Sequence, residues 1–264
     1  MTEILRCEDL TLRFRGVQAL GGVTFEVEEG KVQALVGPNG AGKTSLLNCI
    51  NGFYRPQVGR IMYRDENLIG KRPHRIAALG VGRTFQNIEL FRGISVLDNI
   101  LMGRHMHMKR GLFANALRIG PSLAEERRHR KVAEDIMELL ELGRYRKSLV
   151  GNLAYGKQKL VEMGRALALE PTLLLLDEPA GGMNRDEREE VARFVLRVKY
   201  ELKITQVLIE HDIRFVTDLS DRVTVLNLGE VLAKGDPATV FRMPEVIAAF
   251  AGGASDAKVP KVEV

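Results

Sequence analysis

The chain contains the stretch Gly37-Pro38-Asn39-Gly40-Ala41-Gly42-Lys43-Thr44, which matches the phosphate-loop pattern GxxxxGK[ST]. It follows Val32–Val36, an apolar run typical of a buried strand, and it opens a predicted helix over Thr44–Asn51. The pattern requires this strand–loop–helix context. Glycines allow backbone N–H groups to turn toward an anion, and the amino end of a helix adds positive potential. The stretch therefore predicts a site for nucleotide phosphates.

Individual residues of this loop have separable predicted roles. Lys43 can reach the β- and γ-phosphates, Thr44 offers a hydroxyl to Mg²⁺, and Ser45 is placed for the α-phosphate. The predicted loop contacts to nucleotide also include Asn39, Gly40, Ala41 and Gly42. The predicted ligands are ATP and Mg²⁺.

A second part of the predicted site follows the apolar run Leu173–Leu176, which ends in Asp177 and Glu178. Such a strand end lies at the carboxyl edge of a sheet, beside the phosphate loop. Asp177 is predicted to hold Mg²⁺ through water, and Glu178 to polarise an attacking water. Apolar strands that end in acids are common, so this interpretation depends on the phosphate loop. The long interval between Lys43 and Asp177 indicates a substantial insertion.

Hydrophobic periodicity divides the chain into strand-rich and helical parts. Thr24–Glu28 alternates polar and apolar residues as a half-exposed strand does. The remaining predicted elements are strands within 4–36, short strands and turns over 57–85, helices from about 95 to 169 (including 123–142), a helix over Arg185–Tyr200, a strand over Thr205–Ile209 and a hairpin over 223–233.

Bulk properties are those of an ordinary globular protein. No run approaches the roughly 20 apolar residues of a membrane helix, and the amino terminus lacks a secretory pattern. Any link to a membrane is therefore expected to run through a partner. Cys7 and Cys49 stand outside any metal-binding spacing, which predicts two buried, reduced thiols.

Positive charge is concentrated between Leu101 and Lys131, a segment that contains eight basic residues and two acidic residues. A solvated helical face is the simplest interpretation, and contact with acidic lipid headgroups or an acidic partner is the alternative. Few aromatic residues are interleaved with this charge, so no nucleic-acid partner is predicted.

Further motifs resemble those of the ABC ATPases, in the order and spacing of that family. Leu153–Gln158, which runs into Met163–Ala168, resembles the signature motif and the helix that it caps. Asp177–Asn184 resembles the acidic motif that continues into the D-loop. Gln86 resembles the Q-loop glutamine and His211 the switch histidine. The resemblance extends from residue 4 to about residue 250.

The resemblance implies an α/β fold: a P-loop NTPase (RecA-like) core, an antiparallel β subdomain and an inserted α-helical signature subdomain. One domain would span residues 1–250, with the helical insertion at about 95–169 and a disordered tail at 251–264. The implied catalytic residues are Glu178, His211 and Gln86. The implied nucleotide contacts outside the phosphate loop are Phe14, which would stack on adenine, with Ala154, Gly156 and Asn184. The implied metal ligands are Thr44, Gln86 and Asp177.

A narrower resemblance is to the LivG-type ATPases of branched-chain amino acid importers. It is carried by the segments 87–91, 96–100, 103–105, 151–156, Pro179-Ala180 and 244–250. Lys157, the run Lys159–Val161, Gly181 and Met183 depart from the usual pattern. This resemblance implies an ATPase that powers uptake of a small solute, either branched-chain or related amino acids.

The family also implies partners and a location. Two ATPase subunits would enclose two ATP molecules, each site combining one chain's phosphate loop with the other chain's signature. The second subunit is expected to be a homologous ATPase, giving a heterodimer. Two transmembrane permease subunits, contacted by Gln86 and the loop around it, and indirectly a solute-binding protein would complete the assembly. The chain would be peripheral, on the cytoplasmic face of the inner (plasma) membrane.

Two alternatives share the ATP motifs. One is the ATPase of a lipid or lipopolysaccharide exporter. The other is a soluble ABC ATPase that acts on nucleic acid or ribosomes, but such proteins typically carry two cassettes or a long coiled coil. This sequence has one phosphate loop and no sustained heptads.

Replacing Lys43 with alanine is expected to abolish useful ATP affinity, because the triphosphate loses the only side-chain cation of the loop. Titration with a fluorescent ATP analogue measures the change. Near-normal affinity in Lys43→Ala would contradict the phosphate-loop assignment.

Overall fold

The computed structural model describes residues 2–84, 88–107 and 121–252. The chain folds as two compact units. Of these described residues, the first unit comprises 2–72 and 207–252, and the second comprises those between 73 and 206. The predicted helical insertion lies within the second unit, together with the segments on either side of it.

The first unit contains a four-stranded antiparallel sheet in the order β2-β1-β4-β5. Its strands are β1 (Glu3–Phe14), β2 (Val17–Glu28), β4 (Val58–Tyr63) and β5 (Glu66–Asn67). Arg15 and Gly16 join β1 to β2 with φ angles of 44° and 90°, the left-handed conformation that a two-residue hairpin turn requires. In β2, Val23, Phe25 and Val27 are buried, so the predicted alternation of this strand is confirmed.

The first unit also carries the strand that leads into the phosphate loop. β3 (Val32–Val36) is buried throughout and pairs in parallel with β9 (Arg222–Asn227). β9 continues into β10 (Glu230–Gly235) as an antiparallel hairpin. The helices of this unit are α1 (Lys43–Ile50), α7 (Ile213–Leu219), α8 (Pro237–Val240) and α9 (Pro244–Gly252). A core of Ala34, Val36, Val216, Val223, Val225, Val240 and Val246 joins β3 and β9 to α7, α8 and α9.

The second unit pairs two parallel strands with several helices, one of which lies at 73–78, where short strands and turns were predicted. β6 (Val81–Arg83) pairs with β7 (Leu173–Asp177). The helices are α2 (Pro73–Ala78), α3 (Val96–Met102), α4 (Pro121–Leu139), α5 (Tyr155–Leu167) and α6 (Arg185–Tyr200). Short 3₁₀ turns occupy 105–107, 143–145 and 150–152. β8 (Thr205–Ile209) begins in this unit and ends in the first.

Local signals explain where these elements begin. Asn184 caps α6 by accepting from the Glu187 N–H at 3.0 Å, and the Glu187 carboxylate accepts from the Asn184 N–H at 3.2 Å. This reciprocal pair is a capping box. Val191, Phe194, Val195 and Val198 are the buried residues of α6, at the spacing of one helical face.

The predicted tail needs one correction. α9 continues through residues 251 and 252, because the small apolar residues Ala248, Ala249 and Ala251 favour continuation of the helix. Residues 253–264 lie outside the described residues, as do 108–120 of the basic segment. Both cysteines are buried and free, as predicted. Among the described residues, no helix combines the length and the apolar character needed to cross a membrane.

A buried polar cluster joins α4 to the loop after α3 and to the carboxyl end of α5. The Arg104 guanidinium donates from Nε to His129 Nδ1 at 3.2 Å and from Nη1 to the Ala168 carbonyl at 2.9 Å. Nη1 also lies 3.1 Å from Oε2 of Glu170. Because Nδ1 of His129 accepts a hydrogen bond, this arrangement requires the neutral imidazole. Burial, and then the charge of Arg104, lower the pKa of His129.

We expect the free energy of unfolding to fall as the pH decreases from 7.5 to 5.0. The unfolded chain binds a proton at His129 near pH 6.5, whereas the folded chain does so only at lower pH, so acid favours unfolding. Urea titrations at both pH values measure this. His129→Gln, whose amide oxygen can still accept from Arg104, should show a smaller pH dependence. Equal pH dependence in both proteins would exclude His129 as the group responsible.

Candidate active site

The phosphate loop is packed so closely that two of its glycines have no room for a side chain. A Cβ at Gly37 would lie 2.1 Å from the Leu226 carbonyl oxygen, and one at Gly42 would lie 2.6 Å from the Ala19 carbonyl oxygen. Their φ angles of 150° and 101° are also ones that side chains rarely adopt. The loop is fastened by a hydrogen bond from the Gly229 N–H to the Ala41 carbonyl at 3.1 Å.

The loop presents its other side outward. Asn39, Gly40 and Thr44 are exposed, and Ser45 is half-buried. A Cβ at Gly40 would meet nothing within 4 Å. Gly42 precedes α1 without a side-chain cap, so its first N–H groups have no competing side-chain acceptor at the cap position. This combination of an exposed glycine loop and an uncapped helix start fits a phosphate group.

Lys43 lies within the loop, with only 7% of the residue exposed. Its ammonium donates to the Gly37 carbonyl at 2.7 Å and the Pro38 carbonyl at 3.0 Å. These bonds hold the positive charge of Lys43 at the loop.

Phe14, the predicted adenine platform, lies at the end of β1 and is 41% exposed. Tyr54 contacts its ring edge-on, with 5.0 Å between ring centroids and 74° between ring planes. The Gln57 side chain pairs with both backbone groups of Arg13, accepting from its N–H at 2.9 Å and donating to its carbonyl at 3.2 Å. Tyr54 and Gln57 therefore support Phe14. Sequence reasoning missed both, although their aromatic and amide side chains follow α1 directly.

His211 follows β8, and its side chain is 66% exposed. Its Nδ1 lies 3.8 Å from Oε2 of the buried Glu210. Asp212 fixes the next turn by accepting from the Phe215 N–H at 3.0 Å as the cap of α7. The histidine thus projects outward from a backbone held on both sides.

The predicted carboxylates lie at the carboxyl end of β7. Asp177 is buried, and its Oδ2 accepts from Nη2 of Arg83 at 3.0 Å. Glu178 is half-buried and adopts φ of 47°, a conformation that costs a non-glycine residue free energy. The Gly181 N–H donates to the Glu178 carbonyl at 3.1 Å and helps to hold this turn. Backbone strain of this kind is common at functional positions.

The signature segment opens α5, which Ala154 precedes without a side-chain cap. The Gly156 N–H donates to Oε1 of Glu187 at 3.1 Å. Lys157 pairs through Nζ with Oε1 of Glu190 at 2.7 Å. Two carboxylates of α6 therefore hold consecutive residues of the signature. Lys157, one of the residues that depart from the usual family pattern, is therefore paired with a carboxylate of the same unit.

The predicted site residues are divided between the two units. The first unit holds Phe14, Asn39, Gly40, Ala41, Gly42, Lys43, Thr44, Ser45 and His211, and the second holds Ala154, Gly156, Asp177, Glu178 and Asn184. Gln86 lies outside the described residues.

We expect Gly156→Ala to destabilise the protein, although alanine in a helix is normally favoured over glycine by about 1 kcal/mol. The added Cβ would lie 2.6 Å from Oε1 of Glu187. In a Glu187→Ala background the same substitution should become neutral or stabilising, with a coupling of about 1–3 kcal/mol. Urea unfolding of the four proteins measures the coupling. Gly143→Ala is the control, because a Cβ there would meet nothing within 4 Å. Additive effects at residues 156 and 187 would contradict the contact.

Comparison with known proteins shows which family this chain resembles. Residues 20–181 match the family model of the ABC transporter. The branched-chain amino acid transport ATP-binding protein BraF of Pseudomonas aeruginosa is 38% identical over 251 residues, covering 95% of this chain and 98% of BraF. LivG of Escherichia coli K12, which carries the same description, has the same identity and coverage.

A solved structure shares the fold. The ADP conformation of MJ1267, an ATP-binding cassette of an ABC transporter, superposes with a TM-score of 0.83 at 29% identity. The match covers 96% of this chain and all of MJ1267. The α/β fold of a P-loop NTPase, the phosphate loop and the family match agree: the chain belongs to the ABC transporter family, as one of its ATP-binding, ATP-hydrolysing subunits.

Proposed function

We propose that this chain hydrolyses ATP to power the uptake of branched-chain or related amino acids through two membrane-spanning permease subunits. The support for the solute is the 38% identity to BraF and LivG, both described as branched-chain amino acid transport proteins, over nearly the whole of each chain. The support for uptake rather than export is the resemblance of the sequence motifs to those of importer ATPases. The phosphate loop, with its buried ammonium and outward-facing glycine, carries the ATP-dependent part of the proposal.

In the proposed mechanism, Phe14 stacks on adenine, and the backbone of residues 39–42 with Lys43 and Ser45 binds the phosphates. Lys43 carries its charge into a loop whose carbonyls already orient the ammonium. Glu178, which is half-buried, accepts a proton from the attacking water. His211 and Gln86 orient the γ-phosphate and the water.

Thr44, Gln86 and Asp177 are the proposed ligands of Mg²⁺, which would neutralise phosphate charge when bound. Their hydroxyl, amide and carboxylate oxygens are hard donors of the kind that Mg²⁺ prefers. Within the described ranges, no group of three or more His, Cys, Asp and Glu side chains is placed to hold a metal. Mg²⁺ commonly takes its remaining ligands from substrate phosphates and water.

We further propose that the chain pairs with a second, homologous ATPase at the cytoplasmic face of the inner (plasma) membrane. Each site would then be completed by Ala154, Gly156 and Asn184 of the opposite subunit. A periplasmic solute-binding protein would act through the permeases.

The proposed permease contact is the segment after Gln86. Phe91 is 53% exposed and Leu149 is 45% exposed. They lie on neighbouring stretches, because Ser95 forms a bridge with Leu149. The fully buried Asn99 fixes this segment: its side chain accepts from the Phe91 N–H and donates to the Phe91 carbonyl, each at 3.0 Å. A rigid apolar edge of this kind suits contact with another protein.

The test is leucine uptake by the assembled transporter, produced with its permeases, second ATPase and binding protein and reconstituted into vesicles containing ATP. We expect ATP-dependent leucine uptake. Glu178→Gln should lose about 10²-fold or more of ATP turnover and the corresponding uptake, because an amide cannot accept the proton, while ATP binding persists. His211→Ala should also lose most turnover.

Each part of the proposal has its own contrary result. Normal ATP hydrolysis in Glu178→Gln would remove this residue from the proposed role. Hydrolysis that is not coupled to leucine, isoleucine or valine, but is stimulated by lipid, would favour the exporter alternative.

A further inference from the structure

Asp177, the carboxylate that is proposed to bind Mg²⁺, forms an ion pair with Arg83 inside the second unit. β6 and β7 pair in parallel, with Arg83 opposite Leu175, so Arg83 and Asp177 end neighbouring strands. Nη2 of Arg83 lies 3.0 Å from Oδ2 of Asp177, and their side chains are only 8% and 3% exposed. Arg83 is the last residue of its strand, three positions before Gln86.

The backbone beside this ion pair is held as firmly as the side chains. The Thr84 N–H donates to the Leu175 carbonyl at 2.9 Å, and Thr84 Oγ1 accepts from the Asp177 N–H at 3.4 Å. Thr84 is fully buried. The segment that carries Arg83 therefore fixes both the backbone and the carboxylate of Asp177.

Burial makes the pairing electrostatically important. Charges screened weakly by water interact more strongly than exposed ones, and a buried carboxylate without a partner is costly. A guanidinium group carries a permanent positive charge. Asp177 is therefore neutralised by Arg83, and a second cation that approaches this carboxylate meets a permanent positive charge beside it.

We propose that Arg83 is the permanent counter-ion of Asp177. Its charge sets the concentration of free Mg²⁺ that is needed to promote nucleotide binding. This inference rests on the proposed role of Asp177 as a metal ligand. Arg83 is a positioning residue: it contacts the carboxylate and acts on the metal only through it. The pair keeps the buried carboxylate satisfied in the absence of a metal, at the cost of a lower affinity for Mg²⁺.

The experiment measures the affinity of the full chain for N-methylanthraniloyl-ATP by fluorescence over a series of free Mg²⁺ concentrations, with no turnover required. Arg83→Gln is the main variant, because its amide can still donate to Oδ2 but carries no charge. The free Mg²⁺ concentration that produces half of the Mg²⁺-dependent change in nucleotide affinity should be about tenfold lower in Arg83→Gln than in the wild type. Arg83→Lys retains the charge and should stay within about threefold of the wild type. Circular dichroism confirms that each variant is folded.

The variant Asp177→Asn tests the metal-ligand role of Asp177 independently of Arg83. This variant should bind the fluorescent nucleotide with little dependence on Mg²⁺. If Asp177→Asn keeps the wild-type Mg²⁺ dependence, the metal-ligand role of Asp177 is wrong. If Asp177→Asn behaves as expected but Arg83→Gln shows an unchanged or higher half-saturating concentration, only the role of Arg83 is overturned. A shift in Arg83→Lys equal to that in Arg83→Gln would also overturn it, because charge would not be the cause.

Discussion

The conformation of the phosphate loop depends on glycine at two positions where the loop packs against neighbouring backbone. Gly37 and Gly42 lie against the backbone carbonyls of Leu226 and Ala19, at distances that no Cβ could occupy. The same contacts bring the loop onto the turn between β9 and β10, where the Gly229 N–H holds the Ala41 carbonyl and the Gly229 carbonyl accepts from the Gly21 N–H. The position of Lys43, the start of α1 and the exposure of Gly40 all depend on this close backbone packing.

Functional side chains in both units are held in place by residues that have no predicted contact with nucleotide. Gln57 pairs with the backbone beside Phe14, and Asp212 caps the helix after His211. In the second unit, Glu187 links the start of α6 to the Gly156 amide. Precise catalytic geometry requires such support, because a side chain fixed only at its own Cα retains several rotamers. The backbone next to each of these groups is therefore fixed within its own unit.

The regular elements followed from periodicity and turn chemistry. The bounds of α6 and β8 agree with the prediction, and those of α1 and β7 differ by one residue. Long amphipathic or apolar runs are reliable because one face must be buried. The disordered tail was predicted from residue 251, but the helix α9 extends to residue 252, because small residues suit both a helix and a loop. The pairing of Lys157 with Glu190 could not be predicted for another reason: a charge in sequence carries no information on its partner.

The sequence by itself determined the local chemistry: the glycine loop that receives phosphates, the carboxylates after a buried strand, and the order of motifs that marks the family. These signals lie within a few residues of one another, where backbone preference and side-chain type are sufficient. Only the tertiary structure decided which charges are neutralised. Arg83 and Asp177 are 94 positions apart, and Lys157 and Glu190 are 33 apart. Such pairs form because packing brings strand ends and helix faces together, and the electrostatic properties of the site follow from that packing rather than from any motif.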